Sequence, residues 1–400
     1  MYINLSQIHR FCLCLAAFIT GEFIASAIND SPGDEMSDAK VYHGMGFNMR
    51  PSYIMPTHGF YNGWNPMGRP LRAGGSAHLD YSFSYLPDTE QGRLFPGAYQ
   101  GIGLGVQTFL AHDAMGTPVS LYLFQGAPVA ILTDCLTLDY EWNFGLSAGW
   151  KPNEHMLTGS VLNAYINVGL YLKWKMNAAW DLQIGPEYTH YSNGDTAFPN
   201  AGANTVNFRI GVRRHFDCET GRLSAPKLFS FENKSGRFMQ NVTCDLTLFG
   251  AWRADRMIVD NRLHIIDKSF LVAGLQLNPL YHFNQSLSVG PALDLIYDRS
   301  ANLQASSDEG EVLTYSNPGF IRQCAAGISI RGELQMPIFA VNVGVGYNFS
   351  YAGSDLRGIY GIFVLKTFVT DSLFLNAGYR LGTVLYAHNL MFGLGWRFGN

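Results

Sequence analysis

Trp180-Asp181-Leu182-Gln183-Ile184-Gly185-Pro186-Glu187-Tyr188-Thr189-His190-Tyr191-Ser192-Asn193 alternates residue by residue. Its even positions are Trp, Leu, Ile, Pro, Tyr, His and Ser, and its odd positions begin Asp, Gln, Gly, Glu and Thr. A period of two is the signature of a strand with one apolar and one polar face. His190 and Ser192 break the pattern, because they are reactive side chains on the apolar face. A base and a hydroxyl two residues apart on one strand face are a candidate catalytic pair.

The same alternation recurs along the chain. In 160–175, Leu162, Ala164, Ile166, Val168, Leu170, Leu172 and Trp174 oppose Asn163, Tyr165, Asn167, Gly169, Tyr171 and Lys173. In 135–150, Leu136, Leu138, Tyr140, Trp142, Phe144 and Leu146 oppose Thr137, Asp139, Glu141, Asn143 and Ser147. About sixteen such segments of ten or more residues can be marked, a length that crosses a bilayer at a tilt. They lie near 42–54, 75–87, 98–110, 118–128, 135–151, 160–175, 179–193, 203–216, 239–254, 268–283, 285–299, 317–331, 335–350, 357–369, 372–383 and 389–398.

Composition agrees. Hydrophobic residues are 47% and charged residues only 14%, with 43 Gly, 27 Phe and 21 Tyr. A soluble domain carries about 25% charge, whereas an antiparallel transmembrane β-barrel needs an apolar outer face and a polar lumen. A net charge of −4 gives no case for nucleic-acid binding. Residues 1–27 read as a secretory signal: Arg10, an apolar core from Phe11 to Ile19, then Ala25-Ser26-Ala27 as cleavage site. Of the remaining cysteines, Cys135, Cys218, Cys244 and Cys324 have no metal-ligand spacing and read as small side chains on strands or turns. Cys218 with Cys244 is the candidate for one disulfide. No metal or organic cofactor is expected.

An internal repeat divides the chain. Leu172-Lys173, Leu182 and Gly185 match Leu365-Lys366, Leu375 and Gly378 at an offset of 193. The block 207–216 also matches 389–398. Carrying the first offset forward places Thr383 opposite His190 and Leu385 opposite Ser192, so the second half repeats the scaffold without the reactive pair. The organisation expected is a signal (1–27), a site-bearing half (28–216), a polar connector (217–238) and a second half (239–400). The fold class is all-β, an outer-membrane barrel of about 14–16 strands built from a duplicated eight-stranded unit. One large barrel is favoured over two tandem small ones, because a second barrel reached through a short connector needs its own insertion. An even strand count puts both termini in the periplasm. Phe398 then takes the place of the terminal aromatic that the outer-membrane assembly machinery reads. Strand 179–193 rises to the exterior, with His190 and Ser192 facing lipid and Asn204 capping the apolar stripe of the next strand. Outer loops are expected at 193–203 and 300–316.

Residues 189–204, ThrHisTyrSerAsnGlyAspThrAlaPheProAsnAlaGlyAlaAsn, resemble the signature of the outer-membrane lipid A deacylases (PagL family, also called acyloxyacyl hydrolases). That signature is a His-x-Ser-Asn segment followed by a Pro-Asn-x-Gly turn. The chain as a whole resembles the longer, Bacteroides-type members. TyrLeuPhe at 122–124, TyrGluTrpAsnPheGly at 140–145, LeuAsnAlaTyrIleAsnVal at 162–168 and AsnLeuMetPheGlyLeuGly at 389–395 fit it. The resemblance implies a serine esterase acting on lipid A of lipopolysaccharide in the outer leaflet. Ser192 would be its nucleophile, His190 its general base, and Asn193 and Asn200 its oxyanion-stabilising or substrate-orienting residues. The enzyme for which the family is named has a Glu fourteen residues after the His. Here that position is Asn204, which can accept the His N–H but cannot neutralise an imidazolium; Asp195 is the nearest other acid. Glu187 points into the lumen by parity. The alternative function is a non-catalytic porin or transport barrel, for which lumen residues such as Glu141, Asn163 and Lys173 would matter.

Overall fold

The computed structural model describes residues 41–152, 157–216, 241–259, 262–308, 312–382 and 387–399. The expected signal and connector, and the positions opposite His190 and Ser192 in the repeat, lie outside them. The first barrel comprises β1 (Val41–Ile54), β2 (Ala73–Tyr85), β3 (Tyr99–Thr108), β4 (Gly116–Thr133), β5 (Leu136–Trp150), β6 (Leu162–Lys175), β7 (Trp180–Ser192) and β8 (Ala203–His215). All neighbours are antiparallel, and β8 returns to β1 with Gly44 opposite His215 and Ile54 opposite Thr205. The second barrel begins with β9 (Val242–Val259), β10 (Arg262–His282) and β11 (Leu287–Asp298). It continues, beyond a hairpin of β12 (Gln304–Asp308) and β13 (Val312–Ser316), with β14 (Cys324–Gln335), β15 (Phe339–Ser350), β16 (Gly358–Phe368), β17 (Leu373–Leu381) and β18 (Ala387–Phe398). β18 closes on β9, with Phe392 opposite Gly250 and Phe398 opposite Cys244.

The sixteen barrel strands fall where the alternation places them, but they do not form one large barrel. Each half pairs its eighth strand with its own first. That uses the N–H and C=O groups of both edges, and an unpaired edge in hydrocarbon is not tolerated. The repeat acquires a structural meaning: β6, β7 and β8 correspond to β16, β17 and β18. The offset falls from 193 before the last strand to 182 within it, a loss of 11 residues across the connection that follows Ser192 in the first half. Of the suggested Cys218–Cys244 pair, Cys218 lies outside the described residues. Cys244 is a free thiol on β9, as are Cys135 and Cys324 on their own segments.

Each wall is inside-out relative to a soluble protein. Along β1, Met45, Phe47, Met49 and Tyr53 are exposed while Asn48, Arg50 and Ser52 are buried. An exposed apolar belt of this kind requires a hydrocarbon phase around it. Eight strands leave room inside only for side chains, and here those are ionic. In the first barrel Arg209 reaches Glu141 (2.5 Å) and Glu187 (2.5 Å), Arg50 reaches Glu187 (3.1 Å), and Arg213 reaches Asp80 (2.9 Å). The phenols of Tyr99 and Tyr171 donate to Glu141, and Lys173 pairs with Asp139 at 2.6 Å. In the second, Lys366 and Arg397 hold Asp245 and Glu333, and Arg331 pairs with Asp294. The polar lumen residues are thus interior braces.

Candidate active site

The site forms at one end of the first barrel, where β7 ends and β8 begins. Glu187 and Thr189 point inward, as parity requires. Glu187 takes Arg50 and Arg209, and Thr189 accepts from Asn167 (2.8 Å) and Asn207 (2.7 Å). Tyr188, His190 and Ser192 therefore share the outer face. On β8, Asn204 stands directly across from His190, and its Oδ1 lies 2.7 Å from His190 Nδ1. The Tyr188 hydroxyl donates to the same Oδ1 at 2.7 Å, and the Asn204 Nδ2 donates to Thr57 Oγ1 at 3.3 Å. An amide oxygen only accepts, so Nδ1 is the protonated ring nitrogen and Nε2 carries the lone pair. That is the tautomer a general base needs. Ser192 lies two residues further along the same face, about 6.6 Å along the strand.

Ser192 keeps the outward parity, but it is 3% exposed and its hydroxyl is covered rather than bare to lipid. The cover is the Asn200 amide. Asn200 Nδ2 donates to Ser192 Oγ at 3.0 Å, and its Oδ1 is 3.2 Å from the same hydroxyl. The Asn193 backbone N–H also donates to Asn200 Oδ1 (3.1 Å), whereas the Asn193 side-chain amide turns away to Ala197 O (2.8 Å). The two loop asparagines thus differ. Asn200 presents an N–H beside the hydroxyl, and Asn193 shapes the loop with its side chain. The acceptor at His190 Nδ1 is Asn204; Asp195 is a left-handed turn residue (φ 59°) beside Gly194 (φ 64°).

The loop is pinned from two sides. Gly159 N–H donates to Pro199 O (2.6 Å) and Ala201 N–H to Leu157 O (2.8 Å), with a bridge between Thr158 and Asn200. From the β1–β2 connection, Met55 N–H donates to Asn204 O (2.9 Å), and the Tyr61 hydroxyl donates to Gly202 O (2.6 Å). Burial pushes the Tyr61 phenol well above its ordinary pKa, so it stays a donor. Tyr61 belongs to an apolar cluster with Phe60, Leu71, Phe109, Met115, Trp150, Leu157, Tyr191 and Ala203. This cluster fixes the connections at that end. Gly202 must be glycine: its φ is +65°, and a Cβ there would meet Tyr191 O at 2.8 Å and His190 Cε1 at 3.5 Å.

Residues 58–213 match the family model for lipid A 3-O-deacylase (PagL), and residues 242–400 match that for the acyloxyacyl hydrolase C-terminal domain. Together the two matches span most of the chain. The chain belongs to the PagL lipid A deacylase family. PagL membership and the inside-out walls make it an outer-membrane β-barrel of a Gram-negative bacterium, and a hydrolase acting on lipid A. No curated protein sequence matches it. Among solved structures it is similar to Neisserial surface protein A, at 8% identity over 43% of this chain and 96% of that one, with a TM-score of 0.30. It is also similar to the translocator domain of the autotransporter NalP from Neisseria meningitidis, at 9% identity, 96% of both chains and a TM-score of 0.20. Within the PagL match the structure pairs His190 with Asn204 and Ser192 with Asn200, at the same end of β7. Reasoning from sequence missed Thr57, Tyr188 and Tyr61. Tyr188 lay on the even face of the quoted stretch, two residues before His190. For Thr57 no local signal existed, since it is 147 residues from Asn204.

Proposed function

We propose that the protein is a serine esterase that removes an ester-linked acyl chain from lipid A in the outer leaflet. The observation that carries this reading is the 2.7 Å contact between Asn204 Oδ1 and His190 Nδ1, on the strand face that also bears Ser192. His190 Nε2 takes the Ser192 proton as Oγ attacks the ester carbonyl, and the negative charge develops on the carbonyl oxygen. The Asn200 Nδ2–H, already beside Oγ, is the donor placed to receive that charge, with Asn193 shaping the turn. Collapse breaks the ester C–O bond, His190 returns the proton to the sugar oxygen, and water then releases the fatty acid from Ser192. The 3-O-deacylase description of the matched family points to the acyl chain esterified at the glucosamine 3 position. Residues Met1 to Ala27 serve in this reading as the export signal, and Phe398 at the end of β18 as the element the assembly machinery engages.

The test is mass spectrometry of lipid A from a Gram-negative host that lacks such an enzyme. The host would express the parent protein, Ser192→Ala or His190→Ala at matched outer-membrane levels. Loss of one ester-linked chain is expected with the parent only, each variant falling by about 10⁴-fold or more. Unchanged lipid A with a folded parent barrel would reject the reading for that lipid, and equal activity in Ser192→Ala would reject the nucleophile.

A further inference from the structure

Asn204 brings a difficulty that a carboxylate would not have. The two oxygens of a carboxylate are equivalent, so either can accept from an imidazole. An amide has one acceptor and one donor. Turned over, Asn204 would present Nδ2–H to His190 Nδ1, which would then have to accept. The ring proton would move to Nε2, and the base could no longer take a proton from Ser192. The identity of the two ends of this one amide decides whether His190 is a base.

Two groups fix those ends. The Tyr188 hydroxyl donates to Oδ1 at 2.7 Å, next to the Nδ1 contact, and Thr57 Oγ1 accepts from Nδ2 at 3.3 Å on the other side. Neither position is accidental. Tyr188 precedes His190 by two residues on the same face of β7. Thr57 leaves the end of β1, which pairs with the start of β8, where Ile54 opposes Thr205 and Met55 N–H binds Asn204 O. Resting on the esterase reading, we propose that Thr57 and Tyr188 are positioning residues that lock the Asn204 amide in the orientation holding His190 as its Nε2 base tautomer. The lock supplies by hydrogen bonding the definition that a symmetric carboxylate would supply by itself.

The experiment is a double-mutant cycle on lipid A deacylation by the full-length protein in lipopolysaccharide-containing detergent micelles. Folding is followed by the heat-modifiable gel shift of the barrel. Thr57→Val keeps shape and removes the acceptor, and a drop of about 3- to 10-fold is expected, the worth of one such hydrogen bond. Thr57→Ser, which restores the hydroxyl, should recover at least half of the parent rate, and Tyr188→Phe should fall by a similar about 3- to 10-fold. The deciding arm repeats Thr57→Val in the Asn204→Asp background, where the effect should shrink below about 2-fold because the acceptor is symmetric. An equal drop in both backgrounds would assign Thr57 to packing and overturn the lock, as would parent-level activity in both Thr57→Val and Tyr188→Phe. Ser192→Ala run alongside separates the failures: if it remains active, the esterase reading falls, and if it is dead while the lock variants are unaffected, only this inference does.

Discussion

Replacing Asn204 by aspartate changes the charge of the group that orients His190 and almost nothing else. The side chains are isosteric, so an oxygen stays 2.7 Å from Nδ1 and 2.7 Å from the Tyr188 hydroxyl. Thr57, which accepts from Nδ2 in the parent, is no longer needed to tell one end of the group from the other, because both carboxylate oxygens accept. A neutral hydrogen bond contributes about 0.5–1.5 kcal/mol and one to a charged group about 1.5–3 kcal/mol. The extra about 1–1.5 kcal/mol is available only as the imidazolium forms, which is the condition for raising kcat rather than binding. At about 1.4 kcal/mol per tenfold, Asn204→Asp should deacylate roughly 5- to 15-fold faster than the parent at alkaline pH. The sign with pH follows. A carboxylate favours the protonated ring, so the base form is lost at higher pH than in the parent. The acid limb of the rate profile should move up by about one unit and the gain should vanish below it. Asn204→Ala leaves Nδ1–H without an acceptor at a cost of about 1–3 kcal/mol, a loss of roughly 5- to 150-fold. The assay is the initial rate of fatty-acid release from lipid A by the purified barrel across pH, with folded fraction measured in each sample. Parent-level activity in Asn204→Ala, or an acid limb in Asn204→Asp that stays put or moves down, would refute the assignment of Asn204 as the orienting group.

Gly202→Ala forces a Cβ into a left-handed turn against Tyr191 O. It should lower barrel stability by about 1–2 kcal/mol and slow deacylation by loosening the turn beside His190, read together from thermal gel shifts and lipid A mass spectra. A normal rate with normal melting would show that the turn does not set the site. Arg209→Met removes the nearest arginine from Glu141 and one of the two arginines from Glu187, leaving Arg50 on Glu187 and the Tyr99 and Tyr171 phenols on Glu141, and should cost about 3 kcal/mol of stability. The rate per folded molecule should stay at parent level; a folded but inactive variant would place the chemistry in the lumen instead.

The strands were legible because ten or more residues of strict alternation have no other reading, and all sixteen barrel strands overlap their expected ranges, although β14 starts seven residues and β10 six residues away from the expected starts. Closure was not. Whether β8 returns to β1 or passes on to β9 depends on pairings such as Gly44 with His215, between residues far apart in sequence, and both arrangements bury the same faces. The β12–β13 hairpin was also missed within the expected outer loop, since Gln304-Ala305-Ser306-Ser307-Asp308 is polar on both faces and carries no period. Within the site, His190 and Ser192 announced themselves as polar residues on an apolar stripe, and Asn204 as the cap of the neighbouring stripe. Tyr188 shares that face but passes for an ordinary interfacial aromatic until its hydroxyl is seen on Asn204.

The position of the site follows from what fills the barrel. The interior of the first barrel is occupied by Arg50, Arg209, Arg213, Asp80, Glu141 and Glu187 in mutual contact, and an eight-stranded wall leaves no further space for an acyl chain. A lipid substrate must therefore be met on the outside, where polar groups are costly unless they satisfy one another. The residues at the end of β7 do so in two hydrogen-bonded sets. Tyr188, His190, Asn204 and Thr57 form one, and Ser192, Asn200 and the Asn193 backbone the other. Each set gives its polar groups partners within the protein at the edge of the barrel wall, where His190 Nδ1 and the Ser192 hydroxyl are each held by an asparagine amide. The second barrel keeps the strands and the ionic interior. It omits 11 residues across the connection that in the first follows Ser192, as expected if the duplicated scaffold is stabilised by its interior and only the outer connection confers chemistry.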